Sequence, residues 1–260
     1  MTRFIAQVGA GPKFLKEGIM KRYALLLVII LAGCPQSLQA QWVAWGGLGK
    51  DIAVQGGTAW VIGSDNGIYS NSGGGWHEYP GGGRGKALAV GPDGSPYVIG
   101  MDDGIYQGTG SGWVQMPGGG RGKDIAVDGR GRPWVIGMYD GIHYLEGNQW
   151  REYPGGGRGK AIAVAADGTP YVIGMDDGIF QGTGSAWVQL PGGGRGKDIT
   201  VDWRGRVWVI GMDNAIYYHD GSQWVQLPGQ GRGFRISAAS GAIFVIGFDN
   251  GIHRHPGLPR

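Results

Sequence analysis

The sequence predicts an all-β fold: a six-bladed β-propeller of four-stranded antiparallel blades, with the ring closed by the N-terminal strand. Three observations carry this. The tripeptide Val-Ile-Gly begins at Val61, Val98, Val135, Val172, Val209 and Val245, at steps of 37, 37, 37, 37 and 36 residues. A tryptophan recurs in phase with it, at Trp42, Trp76, Trp113, Trp150, Trp187 and Trp224. The last unit stops at His253-Arg254-His255 without a tryptophan strand, while a spare one, Gln41-Trp42-Val43, precedes the first unit. A fixed period of this length marks a repeat architecture. One small sheet cannot bury both of its faces; stacking units around an axis can, and closing the ring hides the edges.

Composition agrees once the period is seen. Gly and Pro make up 70 of 260 residues, a level that without periodicity reads as low complexity. Here the glycines recur in register among 11 Trp and 11 Tyr, which disordered chains lack. The glycines therefore mark turns.

Within one unit, Lys123–Val127 reads as strand A and Asp128–Arg132 as a turn. Trp134–Met138 is strand B, and Asp140-Gly141 is expected to be a two-residue type I′ turn with both residues at positive φ. Ile142–Tyr144 is strand C, and Trp150–Tyr153 is strand D. The turn is Asp-Gly or Asn-Gly in five units and Asn214-Ala215 in the remaining one. No stretch of the repeat carries a helical period. A longer period of 74 also runs through the chain: residues 101–137 and 175–211 differ at 6 of 37 positions.

The N-terminus reads separately. Met20-Lys21-Arg22 followed by the apolar run Tyr23–Ala32 has the form of a signal peptide, too short for a comfortable membrane span, with Met20 a candidate start. Two exits are open. Leu31-Ala32-Gly33-Cys34 resembles a bacterial lipobox, with Cys34 as the lipidated residue, whereas Leu38-Gln39-Ala40 offers a small-residue cleavage site. The expected organisation is a signal over 1–34, a linker over 35–41, the propeller over 42–255 and a tail over 256–260. Either exit predicts a secreted, periplasmic or outer-membrane-anchored bacterial protein that touches a membrane only through a lipid anchor.

Removing the first 34 residues removes five basic residues and one acid, leaving 18 basic and 19 acidic residues and a net charge of −1. The charge argument for nucleic acid then fails. Cys34 is the only cysteine, so the propeller has no internal disulfide and depends on packing and sheet pairing.

The segments Trp113-Val-Gln-Met-Pro-Gly-Gly-Gly120, Asp124-Ile-Ala-Val127, Trp134-Val-Ile-Gly137 and Gly141-Ile142 together resemble the tectonin repeat, over about residues 42–255. The resemblance implies a six-bladed propeller. It also implies lectin activity, since several members bind bacterial lipopolysaccharide or methylated sugars.

The loop from strand D to strand A reads Gly-Gly-Gly-Arg-Gly-Lys at 81–86, 118–123, 155–160 and 192–197. It is not a phosphate loop: the spacing differs, no Ser or Thr follows the Lys, and no helix follows. Strand alternation sets the D–A loops and B–C turns on one face. That face collects the candidate ligand-binding residues Arg84, Lys86, Asp102, Asp103, Arg121, Lys123, Asp140, Arg158, Lys160, Asp176, Asp177, Arg195, Lys197 and Asp213. They read either as ion pairs between neighbouring blades or as a ring of glycine-walled polar pockets for sugar hydroxyls or anions, and the two readings are compatible. The strand-D tryptophans read first as packing between blades. Met101, Met138, Met175 and Met212 read as packing or as the lining of a small apolar pocket.

No catalytic residue, metal site or cofactor is expected. The five histidines occupy unrelated repeat positions, and the repeat keeps a symmetry that an active site would break. The reading is a monomeric, multivalent glycan- or lipopolysaccharide-binding protein. The alternative is an envelope scaffold with a protein partner.

Overall fold

The computed structural model describes residues 41–239 and 241–258. The signal, the lipobox with Cys34 and the alternative cleavage site lie outside the described residues. Six four-stranded antiparallel blades follow one another around an axis. In blade 2 the strands are Gly85–Val90, Pro96–Gly100, Ile105–Gly108 and Trp113–Gln115, running from strand A on the channel to strand D outside.

The ring closes as the two ends of the repeat predict. Strand Val43–Gln55 belongs to two blades. Its first part pairs with Gly251–His255, setting Val43 opposite Arg254 and Ala44 opposite His253, and so supplies strand D of blade 6. Its second part pairs with Thr58–Gly63, from Asp51 opposite Ile62 to Gln55 opposite Thr58, and is strand A of blade 1. A seven-stranded sheet therefore runs from the last blade through the first.

The core lies in the seams. Among the described residues, six buried apolar clusters each join two neighbouring blades, including one between blades 6 and 1. The isoleucine of each Val-Ile-Gly (Ile62, Ile99, Ile136, Ile173, Ile210 and Ile246) is completely buried. Burying one such side chain stabilises the fold by about 1.5–3 kcal/mol. It also explains the glycine before each loop lysine. A methyl on Gly85, Gly122, Gly159 or Gly196 would sit 3.0–3.1 Å from Cδ1 of the isoleucine in the preceding blade.

The strand-D tryptophans are packing residues. A methyl on Gly47, Gly83, Gly120, Gly157, Gly194 or Gly231 would run into the indole of Trp76, Trp113, Trp150, Trp187, Trp224 or Trp42 respectively. The indole N–H of Trp76, Trp150 and Trp187 donates to the carbonyls of Gly46, Pro117 and Gly156 at 3.0, 3.1 and 2.8 Å. Much of the Gly-Gly-Gly-Arg-Gly-Lys loop is thus shaped by what packs on it.

The B–C turn differs from the type I′ expectation. In blade 2 the Gly100 N–H donates to Gly104 O and the Asp103 N–H donates to Gly100 O, closing a three-residue loop of Met101, Asp102 and Asp103. Only the last loop residue is left-handed: Asn66, Asp103, Asp140, Asp177, Asn214 and Asn250 have φ between 60° and 70°. This is a type I turn followed by a left-handed residue, the usual three-residue hairpin. The glycine after it needs no positive φ, which is why Ala215 is accepted in its place.

Candidate functional site

The D–A loops and B–C turns meet on one face through the backbone. Each loop arginine bridges to the residue after the turn of the preceding blade: Arg84 with Gly67, Arg121 with Gly104, Arg158 with Gly141, Arg195 with Gly178 and Arg232 with Ala215. The next residue, a glycine, donates its N–H to the left-handed turn residue, as Gly122 does to Asp103 O at 3.0 Å.

The loop lysines sit in β-bulges. In blade 2 Gly85 faces Gly100 and Ala87 faces Ile99, so Lys86 has no partner in the ladder; the same break recurs at Lys50, Lys123, Lys160 and Lys197. A bulge re-aims side chains locally. Each lysine reaches the turn of its own blade: Lys86 to Asp103 and Lys160 to Asp177 at 2.5 Å, Lys123 to Asp140 at 2.6 Å. Lys50 and Lys197 reach Asn66 and Asn214 at 2.7 and 2.6 Å.

Two of the arginines pair across the seams with the second oxygen of the aspartate that the lysine holds. Arg121 meets Asp103 at 3.0 Å and Arg195 meets Asp177 at 2.7 Å, giving the triplets Lys86–Asp103–Arg121 and Lys160–Asp177–Arg195. The lysine, then the arginine, holds each of these aspartates below the usual carboxylate range. Arg84 pairs with Glu78 at 3.2 Å, while Arg158 has no ion pair among the described residues. Asp102 and Asp213 are bound within their own turns, accepting from Tyr106 and Tyr217 hydroxyls at 2.7 and 2.9 Å. The Asp176 carboxylate lies beside Phe180 and accepts the Gly178 N–H at 3.1 Å, while the Asp176 carbonyl accepts from Arg195 Nε and Nη2 at 3.2 and 3.0 Å.

Beside these charges the seams open into clefts. In blade 5 a cleft of about 390 Å³ is lined by Gly194, Arg195, Met212, Asp213, Tyr217 and Trp224. The cleft at blade 3, about 750 Å³, has the same parts, with Gly120, Arg121, Met138 and Trp150 at the equivalent positions. There Tyr139 and His143 replace the aspartate and tyrosine, and Tyr139 is 87% exposed. Each cleft joins a half-buried indole and a thioether to a guanidinium and further polar groups.

The channel wall carries a second set of charges, which no motif of the repeat marks. Counting around the axis, the residue after each loop lysine is Asp51, Ala87, Asp124, Ala161 and Asp198, and Arg235 follows Phe234 at the equivalent place in blade 6. Each aspartate accepts the N–H of the next strand A: Asp51 from Leu88 at 2.7 Å, Asp124 from Ile162 at 2.8 Å and Asp198 from Ile236 at 2.7 Å. Arg235 stands between Asp51, at 3.2 Å, and Asp198, at 4.0 Å. Burial pushes Asp51 up to about 7, against the pull of Arg235, and Asp124 up to about 6; Asp198 is raised as well. From Ala87 to Asp198 the alternation follows the 74-residue period. Among the described residues, no group of three His, Cys, Asp or Glu side chains is arranged to hold a metal ion.

These features define a closed, six-bladed repeat propeller with recurrent clefts along one face. Residues 48–155 and 158–255 each match the tectonin domain, and the chain belongs to that family, which is associated with lectin-like carbohydrate binding. No curated protein matches it in sequence. Solved structures share the fold at low identity. A gluconolactonase from Xanthomonas campestris has TM-score 0.64 and 14% identity, over 84% of this chain and 89% of that one. The calcium-binding protein regucalcin from Agrobacterium tumefaciens has TM-score 0.56 and 16% identity, over 81% and 92%. The WD40 β-propeller domain of Doa1 has TM-score 0.55 and 15% identity, over 85% and 97%. At these identities the likeness concerns the fold alone.

Proposed function

We propose that the protein is an exported, multivalent glycan-binding protein, without catalysis, whose sites are the clefts on the face of D–A loops and B–C turns. The observation that carries this reading is the recurrence of one cleft design, with glycine lip, arginine, methionine and tryptophan wall, at blades 3 and 5. Carboxylate and guanidinium groups complement sugar hydroxyls, and the indole and thioether complement the apolar face or a methyl substituent of a sugar ring. Repetition suits a repetitive polymer, because several weak sites on a rigid ring gain about 10²–10⁴ in avidity when they engage together. The Tyr23–Ala32 run supports export, and family membership supports carbohydrate as the ligand class.

The test replaces Arg84, Arg121, Arg158 and Arg195 with Gln, one, two and four at a time. Retention on immobilised lipopolysaccharide and on neutral polysaccharides is then measured. These side chains are exposed and their ion pairs add little stability, so the melting temperature stays nearly constant while retention falls stepwise. Unchanged retention by the quadruple variant removes these arginines from the site.

A further inference from the structure

The opposite face carries a different cluster. It is built from the A–B turns, the end of strand C of blade 6 and the chain after it. A cleft of about 440 Å³ between blades 5 and 6 is lined by Trp203, Arg204, Arg206, Arg254 and Leu258, with Asp202 as its sole acid. The carboxylate of Asp202 is occupied by its own turn. One oxygen accepts the backbone N–H groups of Arg204 and Arg206 at 2.9 and 3.0 Å, and the other accepts the Trp208 indole at 3.1 Å.

The three guanidinium groups make no ion pair among the described residues. They are held by aromatic rings instead. Arg204 lies 4.7 Å from the Trp203 ring centroid, Arg206 lies 5.3 Å from Tyr218, and Arg254 lies 5.5 Å from Trp45. Stacking fixes the plane of a guanidinium and leaves its in-plane N–H donors free, the arrangement that suits bidentate binding of an oxyanion. Blade 3 shows the contrast. There Arg132 bonds Asp128 at 2.9 Å and is neutralised. Gly129 stands where blade 5 has Trp203, and Trp203 is 62% exposed.

We propose that this cleft binds a phosphate monoester, with the phosphate among Arg204, Arg206 and Arg254 and the group that carries it against the Trp203 ring. Three cations against one internally bonded carboxylate leave an excess of positive charge that suits a dianion, and Arg–phosphate pairs are charge-assisted and bidentate. Phosphate monoesters occur on soluble saccharides and on lipid headgroups; the chemistry of the cleft is common to both. The proposal does not depend on glycan binding at the other face.

The experiment titrates the full chain with inorganic phosphate, glucose 6-phosphate and glucose, following tryptophan fluorescence and heat. In parallel, co-sedimentation is measured with phosphatidylcholine vesicles with and without phosphatidic acid. Saturable binding of glucose 6-phosphate but not glucose is expected, weakened at least tenfold by Arg254→Gln and abolished by Arg204→Gln/Arg206→Gln/Arg254→Gln. Trp203→Gly, which restores the residue of blade 3, keeps phosphate binding and weakens glucose 6-phosphate. Response to soluble esters alone assigns a soluble ligand. Response to phosphatidic acid vesicles alone, lost in the triple variant, assigns a lipid headgroup. No response to any phosphate-bearing probe, or equal binding by a folded triple variant, overturns the proposal.

Discussion

Arg235 faces Asp51 across the seam between the last and first blades, Nε to Oδ1 at 3.2 Å, on the channel wall. The same guanidinium reaches toward Asp198, so one cation serves a ring of three carboxyls. Replacing a single partner in such a set leaves charge uncompensated.

This makes stability depend on pH in an uncommon direction. Asp51 and Asp124 are pushed from 3.8 up to about 7 and about 6, so they hold protons more tightly in the folded chain than in the unfolded one. Their contribution is complete below about pH 4 and is lost as pH rises through those folded values. Half-buried aspartates of the loop face such as Asp103 and Asp177 are lowered, so their contribution is lost only in acid, below the ordinary carboxylate value. The unfolding free energy from urea melts is expected to fall between pH 5 and 8, and Asp51→Asn is expected to reduce that fall by about 1–3 kcal/mol. Arg235→Met is expected to cost about 3–5 kcal/mol at pH 8 and markedly less at pH 5. A variant slope equal to that of the parent contradicts the assignment.

Gly194 lies under the Trp224 indole, whereas Gly112 has open space where a β-carbon would sit and is matched by Ala186 in the 74-residue repeat. Gly194→Ala is expected to destabilise by about 1–3 kcal/mol through overpacking. Gly112→Ala stays within about 0.5 kcal/mol of the parent. Thermal melts of the two variants side by side check the difference.

Deleting residues 41–45 removes the outer strand of blade 6. The deletion takes away Trp42, which packs on His255 with ring centroids 5.0 Å apart, and Trp45, which meets Phe244 edge-on at 5.5 Å. An unpaired sheet edge is left, so aggregation on size-exclusion chromatography and a large drop in melting temperature are expected. A monodisperse deletion variant with the parent's melting temperature contradicts ring closure by this strand.

Much of this was legible in the sequence because repetition averages over local exceptions. Six Val-Ile-Gly segments locate strand B whatever any single blade does, and the mismatched ends of the repeat revealed the shared strand. The finer geometry was hidden by single-residue effects. Asp140-Gly141 looks like a two-residue turn, yet the loop begins at Met138, because Gly137 and Gly141 close it. Lys123-Asp124 reads only as the opening of strand A, with no sign of where Asp124 points. The bulge sends the lysine to Asp140 on the face, and Asp124 goes to the channel to meet Ile162. The blade 3 cleft departs from its relatives through Tyr139 and His143, two substitutions that mean little until both line one cavity.

The strand Val43–Gln55 fastens the beginning of the propeller to its end. Blades 2 to 5 complete their sheets from neighbouring sequence, but blade 6 waits for a segment made before any other part of the ring. During synthesis that segment has no partner until the last strand has emerged, some two hundred residues later. Closing so long a loop is slow. A chain truncated anywhere before Gly251 therefore keeps an exposed edge, and the molecule distinguishes finished from unfinished copies of itself by its own topology.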